Sequence, residues 1–296
     1  MTSNALNCFK LVKSVLDELF IFVVEDIMSS SSLSKSQAEV EAKKIINLEV
    51  GSLQSKYSNL AKATQPIDYS KPETRFAYIY KYVATHASYV AQVIELENLL
   101  TRYKNRTSLD VTCIGGGPGS ELVGVLKSVI GGCDSIQNLH AYLLDRVQDW
   151  GDSWSDIHKK TNLPIQLGVN FTSFDITKKS WSNHAKFFGS DLIILSYFAS
   201  EISALATADT KTFFNDLYAK AKVGAILMIV DNNSPSFNSY INNEIIMPGW
   251  TVLNTAVGEM TPEADEQASA IGDYKNWITH NPKLKSKICY WVLEKS

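Results

Sequence analysis

The sequence predicts an α/β fold in which a mostly parallel sheet carries helices on both faces, preceded by a helical N-terminal extension. Three observations predict it. Helical periodicity runs to about Arg106, apolar strand-like runs alternate with helical stretches from Leu109 onward, and a glycine-rich turn joins the first such strand to a helix. With 296 residues, 45 % hydrophobic and 20 % charged, the chain can bury the core of one large α/β domain and still carry an extension. The expected division is a helical cap over residues 1–106 and a sheet domain over residues 107–296.

The first helix follows from Leu6, Phe9, Val12, Leu16, Leu19 and Val23, which recur at spacings of three and four. Within it the run Leu19–Val24 is flanked by acids and falls far short of the ~20 residues of a membrane span. It reads as a buried helix face, with neither the basic start nor the cleavage site of a signal peptide, so the cytoplasm or nucleus is the expected location. The serine run after it favours a loop and supplies N-caps, and a second helix is expected over Gln37–Leu60. A third begins at Ser70-Lys-Pro-Glu73: Ser70 is placed to cap, Pro72 fits the first turn and Glu73 stands at capping-box spacing. Phe76, Tyr80, Val83, Ala87, Val90 and Ile94 form its apolar face, while Tyr78, Tyr82 and Tyr89 lie off it and are expected to serve helix and domain packing, with a base-stacking or substrate surface as the alternative.

Five strands come next in the pattern of a parallel sheet: LDVTCI from Leu109, LHAYLLD from Leu139, IQLGVNFTSFD from Ile165, DLIILSYF from Asp191 and GAILMIVD from Gly224. WTVLNTAV from Trp250 and KICYWVLEK from Lys287 are two more, joined by an acidic, irregular stretch without a clear crossover helix, which suits an antiparallel pair at one sheet edge. Cys8, Cys113, Cys133 and Cys289 form no C-x-x-C pair, and the five histidines lack metal spacing, so no metal site and a reduced environment are expected. His86 and His140 have no evident sequence partner and read as surface or satisfied residues. The formal charge of −3 gives no global attraction to nucleic acid.

The turn itself is Ile114-Gly-Gly-Gly-Pro-Gly-Ser120. Glycine lets a backbone approach a ligand closely, and the helix N-terminus behind it offers unpaired N–H groups, so a nucleotide is the expected occupant. A phosphate-cradling P-loop fails for want of Lys-Ser or Lys-Thr. A dinucleotide fingerprint aligns on Gly115 and Gly117 but meets Ser120 where a third glycine belongs, which keeps a flavin- or dinucleotide-binding oxidoreductase as an alternative.

The turn, its place behind a helical region, and the two further strands at the end resemble the class I S-adenosylmethionine-dependent methyltransferases over about Leu109–Glu294. The resemblance implies a Rossmann-like seven-stranded sheet, mostly parallel with an antiparallel terminal strand, and S-adenosyl-L-methionine as cofactor. On it, Gly115, Gly117 and Gly119 match the first glycine motif, which passes beneath the cofactor. Asp145 stands at the end of the second strand, where the family's acid takes the ribose hydroxyls. Asp175 comes after the third strand, where an acid accepts from the adenine amino group, with Phe174 or Ile176 packing on the ring. The sequence departs from the family at Cys113, where a carboxylate commonly helps to hold the cofactor's amino group, and Glu121 lies just past the turn. Cys113–Leu126 and the later Tyr197–Ile202 also resemble a group that includes fungal enzymes methylating uridine N3 of large-subunit rRNA.

Such an enzyme aligns a nucleophile with the departing thioether and needs a base only if the acceptor must lose a proton. The candidates lie after the fourth and fifth strands. Ser196 and Tyr197 are placed to orient an acceptor, with Ser196 also against the cofactor; Glu201 is placed to receive a proton; and Asp231, Asn232 and Asn233 are placed to line the acceptor pocket or simply to form a turn. The N-terminal helices would cap the site, with Gly258–Trp277 as a second lid. The expected acceptor is an RNA or a small molecule. A methyltransferase-like module that has lost turnover, binding a ligand or a protein partner, is the non-enzymatic alternative.

Overall fold

The protein is known from a computed structural model that describes residues 6–60, 66–161, 163–179, 181, 185–246, 249–262 and 271–296. Helix α1 spans Cys8–Ser30 behind an Asn7 cap, whose side chain accepts from the Lys10 amide. Its buried face contains Leu16, Leu19 and Val23, as the spacing requires, whereas Ile21 and Phe22 inside the apolar run are exposed. Helix α2, Lys35–Ser58, starts from a capping box in which Ser34 and Gln37 answer each other, so the serine run supplies the cap expected of it.

The third helical stretch differs from expectation in two ways. Its cap residue is Lys71 with Pro72 at the first position, and Ser70 instead offers its carbonyl to the Arg75 guanidinium. It is also interrupted: α3, Pro72–Tyr78, runs into a π-helical turn at Ile79–Val83 before α4, Ala84–Leu96. That turn is wholly buried, and its Lys81 ammonium donates to Gln54 Oε1 and to the Asn281 carbonyl. One extra residue per turn rotates the helix, an insertion that apolar spacing alone does not reveal.

The sheet has seven strands: β1 Ser108–Ile114, β2 Asn138–Asp145, β3 Gln166–Ser173, β4 Leu192–Ser196, β5 Ile226–Asn232, β6 Thr251–Met260 and β7 Ser286–Glu294. Their order is β3-β2-β1-β4-β5-β7-β6. All pairings from β3 to β5 are parallel, and β7 enters antiparallel between β5 and β6. Order reverses between β1 and β4, so the carboxyl ends of those strands part there and leave a crevice, the usual ligand position of an open α/β sheet.

Side chains alternate cleanly between the faces. Val111, Ile194 and Met228 join the N-terminal helices in one buried cluster, while Ile193, Leu195 and Leu227 join Phe213 and Phe214 in the other. The extension therefore covers one face of the sheet as well as its end. Helix α5, Ser120–Gly132, packs against α4 so closely that a Cβ on Gly124 would lie 2.6 Å from the Ala87 carbonyl oxygen.

The centre of the acidic stretch expected as a second lid, residues 263–270, lies outside the described residues. The part from Ile271 to Thr279 binds the extension: Tyr274 donates to Asp17, and Asn47 clamps the Trp277 carbonyl and the Thr279 amide. Among the described residues no helix is long and apolar enough to cross a membrane, and no group of side chains is arranged to hold a metal ion.

Candidate functional site

A cavity of about 360 Å³ opens at the carboxyl edge where the strand order reverses. The strand ends supply Gly115, Asp145, Phe174, Asp175, Ser196 and Glu201, and the extension supplies Leu60, Ile67, Tyr69 and Tyr78 as the opposite wall.

The glycine turn builds the floor. The amides of Gly115 and Gly116 both donate to the Leu144 carbonyl at the end of β2, tying the turn to its neighbour strand. Gly115 has φ +68° and lies under Phe198, whose ring a Cβ would meet at 2.0 Å. Glycine is thus required twice, by the backbone and by the ring above it. Gly117 and Gly119 do not reach the cavity: Gly117 gives its amide to Asp145, and Gly119 caps α5 beneath Trp154.

Asp145 is fixed by this turn. One carboxylate oxygen accepts from the Gly117 amide at 3.0 Å and the other from the Val147 amide at 2.9 Å. Burial pushes its pKa up to about 6 although both amides favour the ionised form. Asp175, one strand further out, accepts from the amide and hydroxyl of Thr177 at 2.9 and 2.7 Å. Burial works to raise its pKa, but the Thr177 bonds and nearby Lys178 outweigh it and hold the carboxyl below its usual range. Phe174 lines the cavity with its back against Phe187, Phe213 and Trp181, and Ile176 lies beside it.

At the end of β4 the chain turns sharply. Tyr197 sits in the left-handed region at φ 55°, uncommon for any residue but glycine or asparagine. Ser196 Oγ is buried without a hydrogen-bond partner. Tyr197 stacks on His86 of α4 with ring centres 3.8 Å apart and planes 10° apart. His86, expected at the surface or satisfied, is instead buried with Nε2 unpartnered, and burial holds its pKa well below the usual value, so it is neutral. His140 does lie at the surface, 3.3 Å from Asp110.

Glu201, in the short helix α6 Phe198–Ile202, faces the same cavity. Tyr57 of α2 donates to its Oε1 at 2.5 Å, and the Tyr69 hydroxyl lies 2.7 Å from that of Tyr57. Burial raises the Glu201 pKa to about 7, Tyr57 works to lower it, and Asp145 and Asp231 add to the rise. Arg146, just past β2, donates to the Ile67 carbonyl and so pins the far wall to the strand ends.

The third candidate cluster stands apart from the cavity wall. Asp231 is fully buried and accepts from the Ser200 and Asn232 amides. Asn232 faces Lys283 at 3.4 Å, and Asn233 bonds Asn238. Lys283 lies 4.5 Å from the centre of the Tyr197 ring, and burial lowers its pKa to about 8. The structure therefore brings Ser196, Tyr197 and Glu201 to the cavity and leaves Asn232 behind Tyr197. Sequence reasoning missed Tyr57, Tyr69, Arg146 and Lys283. Tyr78 alone carried a signal, lying off the apolar face of its helix.

The sequence profile of a family described as "Putative SAM-dependent methyltransferase" matches residues 56–246, from the end of α2 through β5 and beyond. The chain belongs to that family. Its fold is the class I methyltransferase fold, and S-adenosylmethionine is the cofactor of the family. No curated protein matches the sequence. Among solved structures, this methyltransferase-family chain is similar to an O-methyltransferase family protein from Burkholderia thailandensis, with 12% identity over 98% of this chain and 94% of that one and a TM-score of 0.45. It is also similar to a plantazolicin methyltransferase solved in complex with SAH, with 16% identity over 85% and 99% and a TM-score of 0.42. A precorrin-6y C5,15-methyltransferase from Geobacter metallireducens GS-15 shares 10% identity over 79% and 93%, with a TM-score of 0.41.

Proposed function

We propose that the chain transfers the methyl group of S-adenosylmethionine to a small-molecule acceptor that loses a proton, with Glu201 as the proton acceptor. The observation that carries this reading is the cavity itself: a glycine floor, two acids at successive strand ends and a carboxyl of pKa about 7 line one space.

The residues present fit the cofactor. Asp145, Asp175 and Glu201 line the cavity against Arg146 and Lys178, and the Ser196 Oγ at its edge is buried without a hydrogen-bond partner, which suits a ligand that brings positive charge and hydrogen-bonding groups. Asp145 and Asp175 are the candidates for the ribose and the adenine amino group, Phe174 and Ile176 pack on the ring, and Gly115, Gly117 and Gly119 form the turn beneath. When bound, S-adenosylmethionine supplies an electrophilic methyl group on a positively charged sulfur.

The chain's own work is to orient the acceptor, exclude water and move one proton. Tyr69, Tyr78 and Tyr197 contribute to the cavity wall, aromatic side chains that limit the access of water. Tyr57 holds the Glu201 carboxylate in place, and a pKa near neutrality lets that carboxyl accept a proton during attack and release it afterwards. In this reading residues 1–106 act as the cap that closes the site of the 107–296 domain.

The small acceptor is favoured by the adjoining surface pocket, whose lining mixes Arg146 and Lys178 with Asp68, Asp149 and Asp175. Mixed charge builds no continuous basic track for a polyanion. The test measures affinity for a mixed RNA pool at rising salt beside methyl transfer to a low-molecular-mass extract. Transfer to the extract with no salt-sensitive RNA binding is expected. Tight RNA binding that collapses with salt would make RNA the acceptor instead, and cofactor binding without transfer to either fraction would favour the inactive module.

A further inference from the structure

The three tyrosines of the cavity wall differ in what their hydroxyls do. The Tyr69 hydroxyl is tied to that of Tyr57, and the Tyr197 hydroxyl is buried without a partner and closed off. Tyr78, the last residue of α3, is half-buried, and its hydroxyl has no hydrogen-bond partner among the described residues, yet it is not sealed inside the protein. Its free oxygen therefore opens on the cavity that the side chain lines. Glu201 has the same character: Oε1 accepts from Tyr57, while Oε2 is neither bonded to a described residue nor sealed.

Packing fixes where Tyr78 stands. Its ring centre lies 5.3 Å from that of Trp150, and Trp150 lies 3.7 Å from the Cβ position of Gly117, itself 3.9 Å from Asp145 Oδ2. The same ring lies 5.4 Å from Tyr69 and 6.3 Å from Tyr57, the pair whose hydroxyls run to Glu201. With Tyr82 also 5.4 Å away, the phenol is held before any ligand arrives. One residue of the extension thus borders both the glycine turn with Asp145 and the proposed proton acceptor.

Resting on the cofactor reading above, we infer that Tyr78 is the residue through which the N-terminal extension touches the reacting centre: its hydroxyl faces the group to be transferred and, with Glu201, fixes where that group meets the acceptor. The reactive sulfur joins the nucleoside, for which Asp145 and Asp175 are the candidates, to the part that passes over the glycine turn. Tyr78 is the wall residue packed beside that junction. Burial, with Glu201, Glu121 and Asp145 adding to it, holds the Tyr78 pKa well above its usual value, so the oxygen keeps its proton and still offers a lone pair. Such a lone pair attracts a methyl group polarised by a positive sulfur, as in other C–H···O contacts. The extension is then part of the active site as well as its cover.

Sinefungin tests this without an acceptor. It keeps the nucleoside and amino-acid ends of S-adenosylhomocysteine but carries an amino group on carbon where S-adenosylmethionine carries the methyl on sulfur. Calorimetric titration of the full chain, Tyr78→Phe and Glu201→Gln with both ligands reads whether that amine meets the two open oxygens. Tyr78→Phe keeps the ring and removes one oxygen. Its affinity for sinefungin should fall ~10- to 100-fold, the loss of one hydrogen bond to a charged group. Its affinity for S-adenosylhomocysteine should stay unchanged, which also certifies the fold of the variant, and Glu201→Gln should show the same selective loss.

Equal losses for the two ligands in Tyr78→Phe would assign the hydroxyl to the shape of the cavity, and unchanged affinity for both would turn it away from the reacting centre. Either result overturns the inference, as would rejection of sinefungin by a chain that binds S-adenosylhomocysteine. Selective loss in Tyr78→Phe without one in Glu201→Gln would uphold Tyr78 and remove Glu201 as the proton acceptor. Failure of the unaltered chain to bind either ligand would contradict the cofactor reading, and the inference with it.

Discussion

At the scale of single residues, the site rests on backbone positions that tolerate little change. Gly115 combines φ +68° with a Cβ position 2.0 Å from the Phe198 ring. Gly115→Ala should therefore cost ~1–2 kcal/mol in backbone strain alone, with displacement of Phe198 added to it, and should weaken cofactor binding. Gly131, in the exposed last turns of α5 with nothing within 4 Å of its Cβ position, gives the contrast: Gly131→Ala should stabilise by ~0.5–1 kcal/mol. Chemical denaturation of both variants checks the pair, and equal effects would refute the steric account. Asp145→Ala removes the bonds from the Gly117 amide of the turn and from the Val147 amide and should lower S-adenosylhomocysteine affinity ~10- to 100-fold with only a small loss of stability. Unaltered affinity would remove Asp145 from the site. These positions were legible in the sequence because turn glycines and strand-end acids are local signals. The stacking of His86 on Tyr197 was not, since 111 positions separate them and only the fold brings them together.

At the scale of elements, the central strands were readable because both faces of the sheet are buried at β1, β4 and β5 and each demands an apolar residue every second position. The π turn at Ile79–Val83 was not, because it keeps the same apolar content and changes only the rotation of α4 behind it. Its neighbour α2 carries Tyr57 to Glu201 across 144 positions of sequence. Tyr57 lowers the Glu201 pKa, so Tyr57→Phe should raise it above about 7 and move the rising limb of activity to higher pH. A pH–rate profile reads this directly, and an unmoved limb would mean that Glu201 does not take the proton.

At the scale of the whole molecule, four of the carboxyls at and behind the sheet's carboxyl edge are held against their charge, whereas Asp175 is not. Glu201 at about 7, Asp145 and Asp231 at about 6, and Glu121 well above the usual range all bind protons more tightly folded than unfolded. Their contribution to stability is complete below the unfolded carboxyl range and is lost as pH rises through the folded values. Neutral His86 works in the opposite sense below about pH 6.5, but it is one group against four. Thermal unfolding of the ligand-free chain should therefore occur at falling temperature as pH rises from about 4.5 to 7, and added S-adenosylmethionine should offset the loss by supplying a cation. A flat profile would show that these groups are not held as described. The seven-stranded plan was legible from the alternation of strands and helices. The insertion of β7 between β5 and β6 arises from long-range pairing and carries no local mark.

The central claim is that the cavity at the sheet's edge is a cofactor site. Calorimetric titration of the purified chain with S-adenosylmethionine and with S-adenosylhomocysteine tests it most directly. Saturable binding of both at one site in the micromolar range, abolished or sharply weakened in Asp145→Ala, is the predicted result. Failure of both ligands to bind, or binding indifferent to Asp145, would contradict it.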